Sequence, residues 1–209
     1  VVTRPKSFAV LLAAFALTGC TATTSGEARP ELPPRKERPA TQPKPELSER
    51  ATAPGTVLKL GEQGVIPVAG TYAAGLIGLT VTVDSAPATQ ADIDGLPLKD
   101  KDKAELRGKT FFFIRQHVVN LDGTDLTDMV APSLVAWTAG GDIPGMLLGG
   151  TDGKVGDCED EVVSLPEFSE KGASFDQCRL VFGEPGDPVA SVRLTSPPYD
   201  SAKPVTWQQ

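Results

Sequence analysis

Histidine is nearly absent: the chain carries one, His117, against 27 aspartates and glutamates. It lies inside an aromatic, β-branched run, and no Gly-x-Ser-x-Gly elbow occurs anywhere, so no nucleophile with its base is legible in local sequence. A Ser-His-Asp arrangement is defined by geometry and can be assembled from distant residues. Nothing in the sequence points to one, and no catalytic residue is assigned. Zinc lacks ligands for the same reason, because three cysteines and one histidine supply no close ligand pair. Gly145-Met-Leu-Leu-Gly-Gly150 is not followed by Gly-Lys-Ser/Thr, which removes the phosphate-cradle reading. No cofactor is implied. Basic residues are scarce as well. From Thr56 onward 12 lysines and arginines face 22 aspartates and glutamates, a net charge of −10. That excess argues against nucleic acid as a partner, which requires a basic footprint, and its ordinary consequence is solubility.

Long apolar runs are missing too. Phe8 to Leu17 is apolar for ten residues, half of the roughly 20 needed to cross a bilayer core. Two cations, Arg4 and Lys6, precede it, and Leu17-Thr18-Gly19-Cys20 closes it. Charge, run length and small residues are those of a secretory signal. The cysteine at its end resembles the bacterial lipobox. That resemblance implies a signal peptide over 1–19, removed before Cys20, and a diacylated Cys20 thiol holding the chain on the extracytoplasmic face of the cell membrane. Two acyl chains anchor a protein stably, whereas one binds only marginally.

Residues 20–55 are expected to be the lipidated cysteine and a disordered tether. Residues 21–55 hold seven of the 19 prolines, no aromatic residue, and six basic against five acidic side chains. Such a segment buries too little apolar surface to offset its ordering entropy, and its prolines favour an extended spacer.

From Thr56 the pattern is that of strands. Leu76–Val83 alternates, with Ile77, Leu79, Val81 and Val83 on one face. Val57–Leu60 and Val65–Val68 are shorter candidates, and Pro67 assigns the second to a sheet edge. Thr110–Asn120 is a long strand ending in Leu121-Asp122-Gly123. Ser133–Trp137, Val162–Leu165, Gln177–Phe182 and Val189–Leu194 complete the set, separated by glycine, proline and aspartate. One short helix is expected over Leu98–Arg107, stopped by Gly108. Short strands between turn signals predict a sandwich or barrel over 56–195. Residues 196–209 read as a loosely held tail, with Tyr199 and Trp207 able to pack back.

Gly108-Lys109, an aromatic strand, and Asn120-x-x-Gly123 together resemble an uncharacterised immunoglobulin-like domain of bacterial secreted lipoproteins. Ala139-Gly140-Gly141 and Cys178-Arg-Leu-Val-Phe182 followed by Pro185 extend the likeness across roughly Val57 to Leu194. The resemblance implies an all-β immunoglobulin-like sandwich outside the cell, with no assigned activity. Gln116 departs from the pattern by standing where an apolar residue belongs, and the 98–107 insert is poorly matched.

Two cysteines remain once Cys20 is committed to lipid. Export to an oxidising compartment then predicts a Cys158–Cys178 disulfide with Cα atoms within about 7 Å. Asp157-Cys158-Glu159-Asp160-Glu161 and the aspartates at 122, 125 and 128 lack calcium-loop spacing and read as solvated turns. Phe111 and Phe113 share the strand face opposite Phe112 and Ile114. They are expected either beneath the insert or the tail, or as an outward binding patch. The expected function is binding or assembly at the cell envelope without catalysis, the partners being the membrane and an envelope protein or glycan. The alternatives are an envelope hydrolase working through scattered carboxylates, and a small-ligand carrier, which ordinarily takes a larger two-lobed chain.

Overall fold

The computed structural model describes residues 39–146, 154–159 and 168–209. The signal segment, Cys20, the first part of the tether and the expected strand Val162–Leu165 lie outside them. In chain order the described elements are β1 (Val57–Lys59), β2 (Gln63–Ala69), β3 (Ala74–Pro87), α1 (Gln90–Gly95), α2 (Asp100–Glu105), β4 (Thr110–Asn120) and β5 (Leu134–Thr138). There follow β6 (Gly145–Met146), β7 (Lys154–Val155), β8 (Cys158–Glu159), β9 (Ser174–Gly183), β10 (Val189–Leu194) and β11 (Val205–Gln208).

Period-2 alternation decides which residues face inward. On β3, Ile77, Leu79 and Val81 are fully buried while Thr80 and Thr82 are not. Among the described residues one sheet has the order β2-β3-β4-β9-β6, a second has β1-β11-β10-β5, and β7 and β8 form a separate antiparallel pair. All pairs are antiparallel except β1 with β11. The main core lies between the sheets: Ile66, Leu79, Phe112 and Val118 from one meet Leu134, Val192, Val205 and Trp207 from the other. The chain is therefore an all-β sandwich, as expected. β2 is an edge strand, and Pro67 sits where a missing N–H breaks no ladder.

The C-terminal stretch is where the structure corrects the sequence reading. Residues 196–209 are not a loose tail: β11 lies between β1 and β10. Trp207 is fully buried and donates its Nε1–H to the Glu62 carbonyl at 2.9 Å. Its indole also explains Gly64, where a Cβ would stand 3.0 Å from Trp207 Cζ2. Tyr199 is buried too, and its hydroxyl donates to the Thr52 carbonyl at 2.8 Å. Burial pushes that phenol up to about 12. Thr52 in turn donates its N–H to the Val65 carbonyl at 2.8 Å and accepts from the Val65 N–H on its hydroxyl oxygen at 2.8 Å. The chain is thus fixed to the sandwich four residues before the expected start at Thr56.

The insert between β3 and β4 holds two helices rather than one. The second, α2, falls within the expected 98–107 span. The first, α1, is opened by Thr89, whose hydroxyl accepts from Asp92 N–H while the Asp92 carboxylate accepts from Thr89 N–H.

Candidate functional site

At its Phe111 end β4 is buried on both faces, and this decides what is left open. Phe112, Ile114 and Val118 enter the main core. Phe111 and Phe113 point the other way, into a second apolar cluster with Ile93, Leu96, Leu106, Val155 and Leu180. The helical insert and the β7–β8 hairpin cover them, so they form no exposed patch. Cys158 and Cys178 form the expected disulfide, with Cα atoms 5.3 Å apart, and it staples the hairpin to β9. The Asn120-x-x-Gly123 turn is a hub of the main core. Asn120 is fully buried, its amide donates to the Thr124 and Phe168 carbonyls, and its oxygen accepts from Gly123 N–H at 2.9 Å. Gly123 adopts φ of 76°, which a side chain would resist.

The outer face of β4 beyond Phe113 is charged and exposed. His117 lies opposite Asp176 in the β4–β9 register, with Nδ1 2.8 Å from the carboxylate. Arg115 binds Asp157 at 2.6 Å and Asp84 at 3.2 Å. The Arg115 hydrogen bond holds the Asp157 carboxyl below its ordinary range, and the same bond raises the guanidinium. These are solvated cross-strand pairs, worth little individually. Asp122 accepts from Leu76 N–H with one oxygen and Thr124 N–H with the other, both at 3.1 Å. Burial pushes its pKa up, but the bonds from Thr124 and Leu76 outweigh that and leave it lowered. Among the described residues no group of three or more histidine, cysteine, aspartate or glutamate side chains could hold a metal ion. Asp160 and Glu161 of the acidic run lie outside the described residues, as do residues 147–150 of the glycine-rich stretch.

Three hollows bear on function. One of about 380 Å³ is lined by Lys44, Glu46, Arg50 and Asp122 among others, and both oxygens of its Asp122 are already engaged. A second, of about 370 Å³, lies among Pro43, Pro45, Ile66, Val68, Met129 and Leu194 and has no ionisable side chain in its wall. The third, of about 290 Å³, opens between the two sheets where β5, the edge of one, faces β9 and β6 of the other. Ile114, Leu134, Ala136 and Val181 form its inner wall, and Ile143 and Met146 stand half exposed at its mouth. Among the described residues one charge reaches it, Arg179.

Arg179 occupies an inward position of β9, in register with the buried Ile114. Its Nη1 lies 3.5 Å from the Leu134 carbonyl on the opposite sheet, the outer limit of a hydrogen bond. Among the described residues no carboxylate pairs with it. The other two arginines on the described strands differ: Arg115 has two carboxylates, and Arg193 lies 4.6 Å over the Trp137 ring. Nothing in the sequence reading singled out Arg179. The signal was present, a charge at an inward position of Gln177–Phe182. Gln116 is a second such break: it is 2% exposed, and its Oε1 has no hydrogen-bond partner among the described residues.

No known family matches the chain, and no curated protein matches it. Among solved structures the chain is similar to a secreted protein from Mycobacterium tuberculosis, MPT63, at 17% identity and a TM-score of 0.42, covering 76% of this chain and 100% of that one.

Proposed function

We propose that the chain is a lipoprotein, held by an acylated Cys20 on the extracytoplasmic face of a cell membrane, whose sandwich binds a ligand or partner of the envelope. One observation carries this. Of the three cysteines, the disulfide uses Cys158 and Cys178, which leaves one thiol, at the end of the apolar run. A bridge of this kind persists in oxidising compartments, and the lipobox-like flank supplies the reason a third, unpaired cysteine is kept. Binding rather than catalysis is supported by the inventory of groups. The chain's one histidine is engaged by Asp176 on an exposed sheet face, and among the described residues the cleft between the sheets is apolar apart from Arg179 and the Ser133 hydroxyl.

Metabolic labelling with a fatty acid, followed by membrane fractionation, tests the anchor. The native chain should carry label and sediment with membranes, while Cys20→Ser should carry none and should stall in processing or appear in the soluble fraction. Equal labelling of the two would overturn the proposal.

A further inference from the structure

We propose that the cleft between β5 and the β9–β6 edge is a binding site for a free aliphatic carboxylate of about eight to ten carbons, its chain between the sheets and its carboxylate on Arg179. This deepens the binding reading above by naming the ligand class.

The cleft wall is built for an alkyl chain. Ile114, Leu134, Ala136 and Val181 line it from both sheets, and their side chains offer no hydrogen bond that a polar ligand would need to recover its hydration. The size suits the same class. A cavity of about 150 Å³ holds benzene, so about 290 Å³ accommodates roughly twice as many heavy atoms. It sits near the lower end of small-molecule sites, about 300–1,000 Å³. A folded partner is disfavoured, since a stable protein interface buries about 1,000 Å² or more.

Arg179 fixes the head group. A guanidinium presents five N–H donors and accepts a carboxylate through two parallel bonds. Here the one described bond is the long contact to the Leu134 carbonyl, so most of the fork has no partner among the described residues. The residues from Thr56 onward carry 22 carboxylate side chains, and none of the described ones pairs with Arg179 as Asp84 and Asp157 do with Arg115. An anion supplied by a ligand completes the pair. An acyl chain linked as an ester or amide, including one on Cys20, has no such anion. At the mouth, Ile143 and Met146 are 54% and 52% exposed, an apolar threshold for an alkyl chain passing from water.

The test is calorimetric titration of the full chain carrying Cys20→Ser, so that no acyl group of its own competes. Sodium decanoate should bind one to one, and decyltrimethylammonium, with the same chain and opposite charge, at least about tenfold more weakly. Arg179→Met, which keeps the bulk and removes the charge, should weaken decanoate about tenfold or more with an unchanged melting temperature. Arg179→Lys should recover part of that loss. Ala136→Leu, which fills the cleft, should abolish binding; should that variant fail to fold, the Arg179 pair still decides. Absence of decanoate binding at millimolar concentration, equal affinity for the two amphiphiles, or an Arg179→Met variant that binds as well as the parent would each overturn the proposal. The anchor is tested separately, because a chain can fail to label at Cys20 and still bind decanoate.

Discussion

Replacing Trp207 by alanine removes a side chain with no exposed surface and the hydrogen bond from its Nε1 to the Glu62 carbonyl. A buried tryptophan withdraws about 150–250 Å² from water, which at about 25 cal/mol per Å² amounts to roughly 4–6 kcal/mol. That figure is an upper bound, because alanine retains part of the area and a denatured chain already buries some of it. The unpaired carbonyl adds about 1 kcal/mol. Large-to-small substitutions of this kind cost about 3–5 kcal/mol, and that is the loss expected here. Trp207→Phe keeps most of the ring and gives up the N–H, so its cost should be about 1–2 kcal/mol. Urea unfolding followed by far-ultraviolet circular dichroism is the suitable assay, since the chain has two tryptophans and fluorescence would lose one reporter. Domains hold roughly 5–15 kcal/mol in total, so the alanine variant should fold and show an earlier midpoint at similar m. A cost below about 1 kcal/mol would mean that β11 does not build the core, and the C-terminal stretch would be a loose tail after all.

Two further substitutions probe the staple and the odd polar group. Removing the bridge with Cys158→Ala and Cys178→Ala together should cost about 3 kcal/mol, from the chain entropy of a loop spanning 20 residues; a melting temperature unchanged from the oxidised parent would contradict it. Gln116→Met should stabilise the fold by about 1 kcal/mol, because it removes a buried oxygen without a partner among the described residues, and calorimetry should show the melting temperature rise by roughly 2–4 °C. A fall would mean that the amide is paired.

Strands with strong local patterns were legible in sequence. Thr110–Asn120 and Val189–Leu194 match β4 and β10 residue for residue, and Pro67 marked an edge strand correctly. The disulfide was legible because it follows from counting rather than from geometry. What escaped was whatever depends on a distant partner. β11 is a four-residue strand following Ser196-Pro197-Pro198, and its hydrophobic content is little more than Val205 and Trp207. Its place comes from β1 and β10 on either side of it, about 150 and 15 residues away in sequence. Thr52 is fixed by Val65 and Tyr199 in the same way, and no property of residues 39–55 announces it. The helix α1 did carry a readable signal, Thr89-x-x-Asp92, but aspartate stands where the usual capping box has glutamate or glutamine.

Arg179 was legible only as an inconsistency, and that is the reason to weigh it. Where strand alternation fails without a visible gain, function is the usual cause. β9 sends Phe175, Gln177, Arg179 and Val181 inward, and its other face carries Cys178 and Leu180 into the second cluster. The five-stranded sheet β2-β3-β4-β9-β6 is thereby covered on both faces at the Phe111 end, by the hairpin that Cys158 staples in place, and is charged at the His117 end. On the four-stranded sheet β1-β11-β10-β5 the outward Trp137 lies beneath the Arg193 guanidinium. The concave apolar surface that remains beside β5 lies at a sheet edge, where among the described residues β5 pairs with β10 alone and Arg179 is the one charge lining the cleft. An arginine serving stability alone could have been given a carboxylate partner on the strand beside it, as Arg115 was. Its placement across from a backbone carbonyl, in a cleft of ligand size, is the arrangement a missing anion would complete.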